Sequence, residues 1–254
     1  MAKVIKQIKD WKEVRTSLQD KTIGFVATMG ALHEGHLSLI RKSKEENDIT
    51  VVSIFVNPTQ FNDKNDLENY PVTFESDLRK LENEKVDYLF YPDYKEIYSD
   101  DFKYEINEKE LSKKLCGAYR PGHFTGVLTV VMKLLNIIKP NKAYFGEKDY
   151  QQYLLIKGMA EAFFIDCQII PLPLIREKDG LAMSSRNKLL TEDERKLAPK
   201  FYQRLSSNNS IDQIKEKLTN DGFKVEYIEE IDGRRFGAVH LGKVRLIDNV
   251  KIKN

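Results

Sequence analysis

The chain has 254 residues, of which 41% are hydrophobic and 31% charged, a composition typical of a folded globular protein rather than a disordered one. The formal net charge of +2 lacks the basic excess that nucleic-acid binding through general charge requires. The longest apolar stretch, at 127–138, is interrupted by Lys133 and Asn136 and falls short of the roughly 20 apolar residues that a membrane helix needs.

Strand-like and helical segments alternate through the first two thirds of the chain. We predict strands at 22–28, 50–56, 87–92 and 142–147 and a further apolar run at 166–174, separated by helices at 35–45, 74–84, 123–138 and 149–163. Continuous apolar strands between helices are typical of a parallel sheet covered on both faces. The predicted fold class is therefore α/β, a Rossmann-like doubly wound parallel sheet with its ligand crevice beyond the carboxyl ends of the strands.

The character of the sequence changes after about Arg186. Two charged helical segments, TEDERKLAPKFYQRL and SIDQIKEKL, are followed by the short β-like pieces FKVEYIEEI and KVRLID. We predict a Rossmann-like domain at residues 1–186 and a small C-terminal α+β domain at residues 187–254.

The two cysteines, Cys116 and Cys167, lie far apart and lack CxxC spacing. This arrangement fits reduced thiols better than a disulfide framework or a zinc site. No secretory signal is visible among the N-terminal lysines. We therefore expect a cytoplasmic protein that binds neither membranes nor nucleic acid.

The segment TMGALHEGH at 28–36 follows the first predicted strand and leads directly into a helix. Its glycines permit close backbone approach, the helix N-terminus offers unpaired N–H groups, and His33 and His36 can address the same anion. The Walker pattern and the dinucleotide fingerprint are absent, and HxGH lacks the spacing of the HExxH zinc motif. The segment therefore predicts a phosphate site of a different type.

The second predicted strand ends in FVNPTQF at 55–61, which presents Asn57 and Gln60. Neutral carboxamides suit the hydroxyls or carboxylate of a small substrate, although an Asn-Pro turn with a surface glutamine explains the same residues equally well. Asp77 lies on the next helix, and only the need of nucleotide phosphates for a divalent cation suggests it as a magnesium ligand.

Two further segments offer cations to phosphate. FGEKDYQQ at 145–152 places Lys148 at a strand end, where it can act as a point charge. MSSRN at 183–187 offers hydroxyls, backbone amides and Arg186 from a loop that could close over a polyphosphate. Each segment alone is weak, but together and in this order they indicate phosphate chemistry.

RPGHF at 120–124 precedes the long apolar helix. Arg120 and His123 could bring another cation and imidazole to a helix N-terminus, or could form an ordinary loop and cap. The sequence leaves the roles of both residues open.

With these segments in place, the chain resembles the pantoate–β-alanine ligases of the HIGH-motif nucleotidyltransferase superfamily, which includes class I aminoacyl-tRNA synthetases. The resemblance rests on TMGALHEGH, FVNPTQF, RPGHF, FGEKDYQQ and MSSRN; it runs from about Thr22 to Arg195 and resumes at RLIDN, 245–249. It implies a Rossmann-like domain, a small C-terminal lid and a homodimer. It also implies that ATP and pantoate give pantoyl adenylate and diphosphate, after which β-alanine displaces AMP to form pantothenate, with Mg²⁺ as the cofactor.

The resemblance assigns roles to individual residues. The ATP-binding residues that it implies are Met29, Gly30, Ala31, Leu32, His33, Glu34, Gly35, His36, Gly146, Glu147, Lys148, Asp149, Ile175, Met183, Ser184, Ser185 and Arg186. Of these, the predicted catalytic residues are His36, His33, Lys148 and Arg186, with His36 as the proton donor. The predicted pantoate and β-alanine site contains Gln60, Gln152 and Asn57, and the predicted metal ligand is Asp77.

Two departures from the family pattern are visible. Ala27 stands where the family usually has proline, and the segment 205–225 looks shorter than in typical members. Two other interpretations remain open: a nucleotidyltransferase whose nucleotide stays in the product, and an ATP-binding regulator without turnover.

Overall fold

The structure, a computed structural model, describes residues 2–252, which form two compact units. The first unit contains the described residues up to Gly146 together with Gln151–Leu172, and the second contains Glu147–Tyr150 and the described residues from Pro173 onward. The chain thus leaves the first unit at Leu172, before its sequence character changes near Arg186. The MSSRN segment accordingly belongs to the second unit.

A six-stranded parallel sheet runs through the first unit. Its strands are β1 (Lys3–Ile5), β2 (Ile23–Thr28), β3 (Ile49–Ile54), β4 (Tyr88–Phe90), β5 (Lys142–Gly146) and β6 (Gln168–Leu172), in the spatial order β1-β4-β3-β2-β5-β6. The chain adds β3 and β4 on one side of β2 and adds β5 and β6 on the other. Doubly wound sheets bind ligands at such a switch point, here between β2 and β5. The predicted Rossmann-like fold class is confirmed.

The central strands are buried on both faces. Phe25 and Val26 on β2 and Val51 and Val52 on β3 are all 0% exposed, so successive side chains enter opposite layers of the core. This double burial explains why these strands appear in the sequence as continuous apolar runs.

Helices alternate with the strands of the first unit. They are α1 (Ile8–Ser17), α2 (Glu34–Glu46), α3 (Lys64–Glu68), α4 (Phe74–Asn83), α5 (Tyr94–Ile97), α6 (Cys116–Tyr119), α7 (His123–Ile138) and α8 (Tyr150–Ala162). The predicted bounds of α7 match those of the structure. It begins after Gly122, whose φ of 79° lies in the left-handed region where glycine carries no Cβ penalty. Within residues 2–252, no helix is long and apolar enough to cross a membrane.

The second unit has its own antiparallel sheet and core. Its elements are α9 (Glu192–Leu197), α10 (Pro199–Leu205), α11 (Ile211–Asn220), β7 (Lys224–Ile231), β8 (Arg234–Leu241) and β9 (Val244–Lys251), with the strands in the order β7-β8-β9. Phe201, Leu205, Ile214, Leu218 and Val239 are at most 1% exposed and form the centre of this core. The predicted small α+β unit at the C-terminal end is thus present.

Several elements differ from the prediction, among them the short helices α3, α5 and α6, which were not predicted. The segment TEDERKLAPKFYQRL forms two helices instead of one, because Pro199 has no N–H to continue the first helix and instead begins the second. The pair β1 and α1 was not predicted, since only Trp11 in that polar helix is buried. Strand β8 was also not predicted, because Arg234 and Arg235 begin it, yet both are buried through their hydrogen bonds.

Candidate active site

Two predicted site segments and the end of β5 lie side by side at the carboxyl edge of the first unit's sheet. Thr28 ends β2, Ile54 ends β3, and the two residues are register partners. Gly146 ends β5, which pairs with β2 on the other side. Strand β2 lies between β3 and β5. The segment that follows it, 28–36 (the HxGH segment), therefore begins at the switch point, between the end of β5 and the segment 55–61 (the NPTQ segment).

The HxGH segment reaches α2 through a tight turn. Gly30 and Ala31 have φ values of 84° and 49°, both in the left-handed region. The His33 and His36 rings lie 4.1 Å apart between centroids and are tilted by 35°. A Cβ at position 35 would lie 3.0 Å from the His33 ring, so Gly35 leaves room for this ring pair. The two imidazoles therefore lie next to each other, and their binding of a common anion stays a prediction.

The backbone fixes the orientation of the His36 ring. The His33 N–H donates to His36 Nδ1 at 3.3 Å, which makes Nδ1 the acceptor. In the neutral ring the proton then resides on Nε2, which becomes a donor. Glu34, the first residue of α2, pairs with Arg41 through its carboxylate.

Asp77 holds the backbone of the HxGH turn. Its side chain is 1% exposed. Oδ2 accepts from the Ala31 N–H and Oδ1 from the Leu32 N–H, each at 2.8 Å. The Thr73 hydroxyl also donates to Oδ2, at 3.0 Å, and Lys80 donates to the Leu32 carbonyl at 2.6 Å. Charge-assisted bonds of this kind are among the stronger hydrogen bonds in proteins.

These bonds argue against Asp77 as a magnesium ligand. A Mg²⁺ ion requires oxygen ligands that can turn toward it in near-octahedral geometry at about 2.0–2.1 Å. Both Asp77 oxygens are buried and already accept from the loop. Residues 2–252 contain no group of three or more His, Cys, Asp or Glu side chains that could hold a metal ion. The carboxylate fits a structural role better than a metal site.

Asn57 and Gln60 lie together at the end of β3. Asn57 is 1% exposed, and its Nδ2 donates to Gln60 Oε1 at 3.0 Å. Gln60 Nε2 lies 3.2 Å from Met29 Sδ in the neighbouring loop. The structure thus brings together the predicted carboxamides and Met29 of the predicted phosphate segment.

Arg120 and His123 support the backbone of Gln60. The Gln60 carbonyl lies 2.8 Å from His123 Nδ1 and accepts from Arg120 Nη2 at 3.2 Å. A Cβ at Gly126 would lie 2.4 Å from the Thr59 carbonyl oxygen, so the first turn of α7 touches the NPTQ backbone directly. The sequence left the roles of Arg120 and His123 open. In the structure, both side chains hold the backbone segment that carries Gln60.

The two adjacent glutamines on α8 differ. Gln151 is buried; its Nε2 donates to the carbonyls of Leu111 and Lys114 at 2.9 and 2.7 Å, and its Oε1 accepts from the Cys116 N–H at 3.1 Å. Gln152 is half-buried in the first turn of α8. The Gln151 side chain is fully engaged in hydrogen bonds to the backbone, so Gln152 is the substrate-binding candidate of the pair.

In the second unit, Ile175 and the MSSRN segment face each other. The Met183 N–H donates to the Ile175 carbonyl at 3.1 Å, beside a β-bridge between Arg176 and Ala182. Ser184 caps the turn that follows, its hydroxyl accepting from the Arg186 N–H at 3.3 Å. The predicted ATP-binding residues at 175 and 183–186 thus lie in one hairpin.

The 147–149 turn lies in the same unit and has its own partners. Lys148 Nζ is 3.5 Å from Asp149 Oδ1. The Arg234 guanidinium lies 3.8 Å from the centroid of the Tyr150 ring and 3.3 Å from the Glu147 carboxylate. These contacts fix the base of the turn, and the Lys148 side chain is 22% exposed.

Two residues of β9, to which the sequence motifs assign no role, organise this region. Asp248, 3% exposed, forms a bidentate pair with Arg176 at 2.6 and 2.9 Å. Asn249 Nδ2 donates to the carbonyls of Glu147 and Lys148 at 2.8 and 3.0 Å. Strand β9 therefore holds both the hairpin and the 147–149 turn. The adjacent polar pair Asp-Asn in the middle of a largely apolar strand was the available signal.

Comparison with known proteins identifies the family of the chain. The pantoate–β-alanine ligase family matches residues 3–251. The chain is 50% identical over 252 residues to the pantothenate synthetase of Bdellovibrio bacteriovorus, covering 99% of this chain and 100% of that protein. It is 51% identical over 250 residues to the pantothenate synthetase of Coxiella burnetii, covering 98% and 97%.

A solved structure gives the same result. The crystal structure of the pantoate–β-alanine ligase from Francisella tularensis, complexed with beta-gamma ATP and β-alanine, matches with a TM-score of 0.96 at 47% identity. The match covers 99% of this chain and 98% of that chain. The chain therefore belongs to the pantoate–β-alanine ligase family of enzymes, ligases that form a carbon–nitrogen bond.

Proposed function

We propose that this enzyme condenses pantoate with β-alanine at the expense of ATP, through a pantoyl adenylate, and releases AMP and diphosphate. The observation that carries the proposal is the HxGH turn, in which the His33 N–H fixes the His36 ring with Nε2 as donor at the start of α2. Family membership, together with the beta-gamma ATP and β-alanine complexed with the Francisella tularensis enzyme, supports the choice of substrates.

In the first step, a carboxylate oxygen of pantoate attacks the α-phosphorus of ATP. The bond from that phosphorus to the bridging oxygen breaks, and the bridging oxygen leaves with diphosphate. Negative charge grows on the phosphorus oxygens and on the leaving group, so preplaced donors lower the barrier. We assign His36 Nε2–H, His33 and the first N–H groups of α2 to this charge.

Cations complete the ATP site in this proposal. Lys148 and Arg186 contact the phosphates, and the adjacent predicted ATP-binding residues supply backbone amides, hydroxyls and packing for the nucleotide. These adjacent residues are Met29, Gly30, Ala31, Leu32, Glu34, Gly35, Gly146, Glu147, Asp149, Ile175, Met183, Ser184 and Ser185. Asp77 then acts by holding the turn through Ala31 and Leu32.

Mg²⁺ is proposed to enter as the counterion of the ATP phosphates. Such an ion would neutralise phosphate charge when bound. Asp77 does not fit as its ligand, so we assign no protein residue to the ion and route no step through it.

In the second step, the neutral amine of β-alanine attacks the acyl carbon of the adenylate. The carbon–oxygen bond to AMP breaks, AMP leaves with that oxygen, and the nitrogen loses a proton to solvent as the amide forms. Gln60 and Gln152 are assigned to the acid substrate and the β-alanine position. Asn57 was predicted with them, but it is buried and both ends of its amide are hydrogen-bonded, so we assign it to hold Gln60 instead. Exclusion of water from the adenylate would prevent its hydrolysis before the amine arrives.

An oxygen-18 transfer experiment tests the intermediate. Pantoate labelled in its carboxylate is incubated with enzyme, ATP, Mg²⁺ and β-alanine, and AMP is analysed by mass spectrometry while each substrate is omitted in turn. Attack on the α-phosphorus places one labelled oxygen in AMP. Unlabelled AMP would reject the adenylate, a product that retains the nucleotide would favour a nucleotidyltransferase, and ATP binding without turnover would favour a regulator.

The homodimer is a separate proposal that rests on family membership. Light scattering coupled to size-exclusion chromatography should give twice the chain mass of 29.5 kDa. A monomer at micromolar concentration would reject it.

A further inference from the structure

A chain of buried hydrogen bonds connects Tyr98 to Gln60 through Asn57. Tyr98, which follows α5, is 0% exposed, and its hydroxyl donates to Asn57 Oδ1 at 2.9 Å. The Thr59 hydroxyl donates to the same oxygen at 3.0 Å. Burial raises the pKa of Tyr98 to about 12, so its hydroxyl remains a donor at neutral pH. Asn57 thus receives two O–H donors on its carbonyl side.

The other side of the Asn57 amide faces acceptors. Nδ2 donates to Gln60 Oε1 at 3.0 Å and to the Gly126 carbonyl at 3.2 Å. The Gly126 carbonyl has no hydrogen to give, so turning the Asn57 amide over would place two oxygens against each other. The hydroxyls on one side and the carbonyl on the other therefore fix a single orientation.

This orientation determines which end of Gln60 is available. Because Gln60 Oε1 accepts from Asn57, its Nε2 points away from that bond and lies 3.2 Å from Met29 Sδ. A thioether is a weak acceptor, so an oxygen ligand can displace it readily. Gln60 therefore presents N–H donors, which suit a carboxylate or hydroxyl oxygen, rather than a carbonyl acceptor.

We propose that Tyr98, together with Thr59, is a positioning residue that sets the Gln60 amide nitrogen toward the oxygen atoms of the acid substrate. This inference rests on the proposed function and extends it, since Tyr98 acts through Asn57 and does not itself touch the reacting atoms. Loss of the hydroxyl lets the Asn57 and Gln60 amides rotate, and a fraction of Gln60 then turns its carbonyl toward substrate oxygen. The defect falls on the acid substrate, whereas ATP meets other residues.

The test compares Tyr98→Phe with the wild-type enzyme by steady-state kinetics with each substrate varied in turn. We expect the pantoate KM to rise about fivefold or more, the effect of about one lost hydrogen bond, with the ATP KM unchanged within about twofold. Thr59→Val removes the other donor and should raise the pantoate KM by a smaller factor. If Tyr98→Phe fails to fold, an unchanged pantoate KM in Thr59→Val overturns the proposal.

Tyr144→Phe is the matched control. Tyr144 is also 0% exposed, and its hydroxyl bonds to Asn47 and Glu46 instead, so the variant loses comparable buried hydrogen bonds. We expect a similar drop in Tm for the two tyrosine variants and a raised pantoate KM only for Tyr98→Phe. An unchanged pantoate KM in Tyr98→Phe, or equal increases for pantoate and ATP, would overturn the positioning role alone. Wild-type enzyme without pantoate-dependent AMP release would reject the proposed function instead.

Discussion

The HxGH turn of the first unit and the hairpin of the second, which runs from 173 to 187 and carries MSSRN, are both proposed to bind ATP phosphates. Different interactions stabilise the two segments. The turn is fixed from beneath by a single carboxylate, Asp77, which is 1% exposed and bonds to two consecutive backbone N–H groups. Buried bonds of this kind are screened little by water, and leaving their donors unpaired is costly.

The hairpin depends partly on ion pairs that water can reach. Arg195 bonds to Glu177 at 2.5 Å and to Asp179 at 2.6 Å, with side chains 29–39% exposed. Exposed pairs contribute up to about 1 kcal/mol and weaken in salt. The contrast suggests a preorganised donor turn and a hairpin that can loosen at small cost, apart from its buried anchor at Asp248.

The largest effect on the reaction rate is expected from substitution of His36, the proposed donor of the HxGH turn. His36→Ala should lower adenylate formation by about 10² or more while leaving Tm nearly unchanged, because a transition-state donor is lost. Single-turnover formation of AMP measures the step. His240→Ala, a change on β8, serves as the control histidine and should retain turnover. Near-normal adenylation by the His36 variant would refute its assignment.

Asp77→Asn tests whether the turn must be held from beneath. The new NH₂ group would face a backbone N–H, so we expect a loss of about 1–3 kcal/mol in stability and at least a tenfold fall in kcat/KM for ATP, roughly what misplaced catalytic groups cost. Chemical denaturation and kinetics measure both. Asp87→Asn, which alters a carboxylate that caps the Thr50 N–H, should lower stability without the ATP effect.

The Mg²⁺ dependence of the same variant separates the two roles of Asp77. A positioning carboxylate leaves the Mg²⁺ concentration for half-maximal rate unchanged. A large increase in that concentration, together with normal stability, would identify a metal ligand instead.

Arg195→Gln tests the exposed pairs of the hairpin. We expect a loss of stability no larger than about 1 kcal/mol and a rise of a few-fold in the ATP KM that diminishes as salt is added. The control is Lys196→Gln, whose partner Asp193 is 91% exposed. A salt-independent effect as large as that of Asp77→Asn would remove the contrast between the two loops.

The smallest effect is expected at the far end of α2. Hydrogen bonds from Lys42, Lys142 and Tyr144 lower the pKa of Glu46 to about 2 from an ordinary value of 4.5. The stabilising contribution is therefore complete above pH 4.5 and is lost as pH falls toward 2. Glu46→Gln should make Tm depend slightly less on pH below about pH 4.5, and it should leave turnover at neutral pH unchanged. An identical acid profile would show that the pairs contribute nothing.

The sequence predicted most of the fold because its cues are local. Apolar runs and helical periodicity located the central strands and α7, and the HxGH, NPTQ and MSSRN segments marked three loops. The N-terminal pair β1 and α1 was missed because one buried residue, Trp11, leaves little periodic signal.

The supports of the candidate site were less predictable, since they depend on pairs that are distant in the chain. Asp77 meets Ala31, Tyr98 meets Asn57, and Asn249 meets Glu147 only after folding. An aspartate on a helix usually faces solvent, so nothing local indicated that Asp77 would be buried beneath a turn. The reacting groups could be proposed from sequence motifs, whereas the groups that orient them required tertiary contacts.

The missing side chain at Gly126 has a consequence for redesign of substrate choice. Helix α7 contacts the Thr59 carbonyl directly through Gly126. Any larger residue at position 126 would therefore displace the backbone segment that carries Gln60. Attempts to enlarge the proposed pantoate site should therefore keep Gly126 and alter neighbouring positions, because the atoms that a side chain at 126 would meet belong to the backbone and not to a movable side chain.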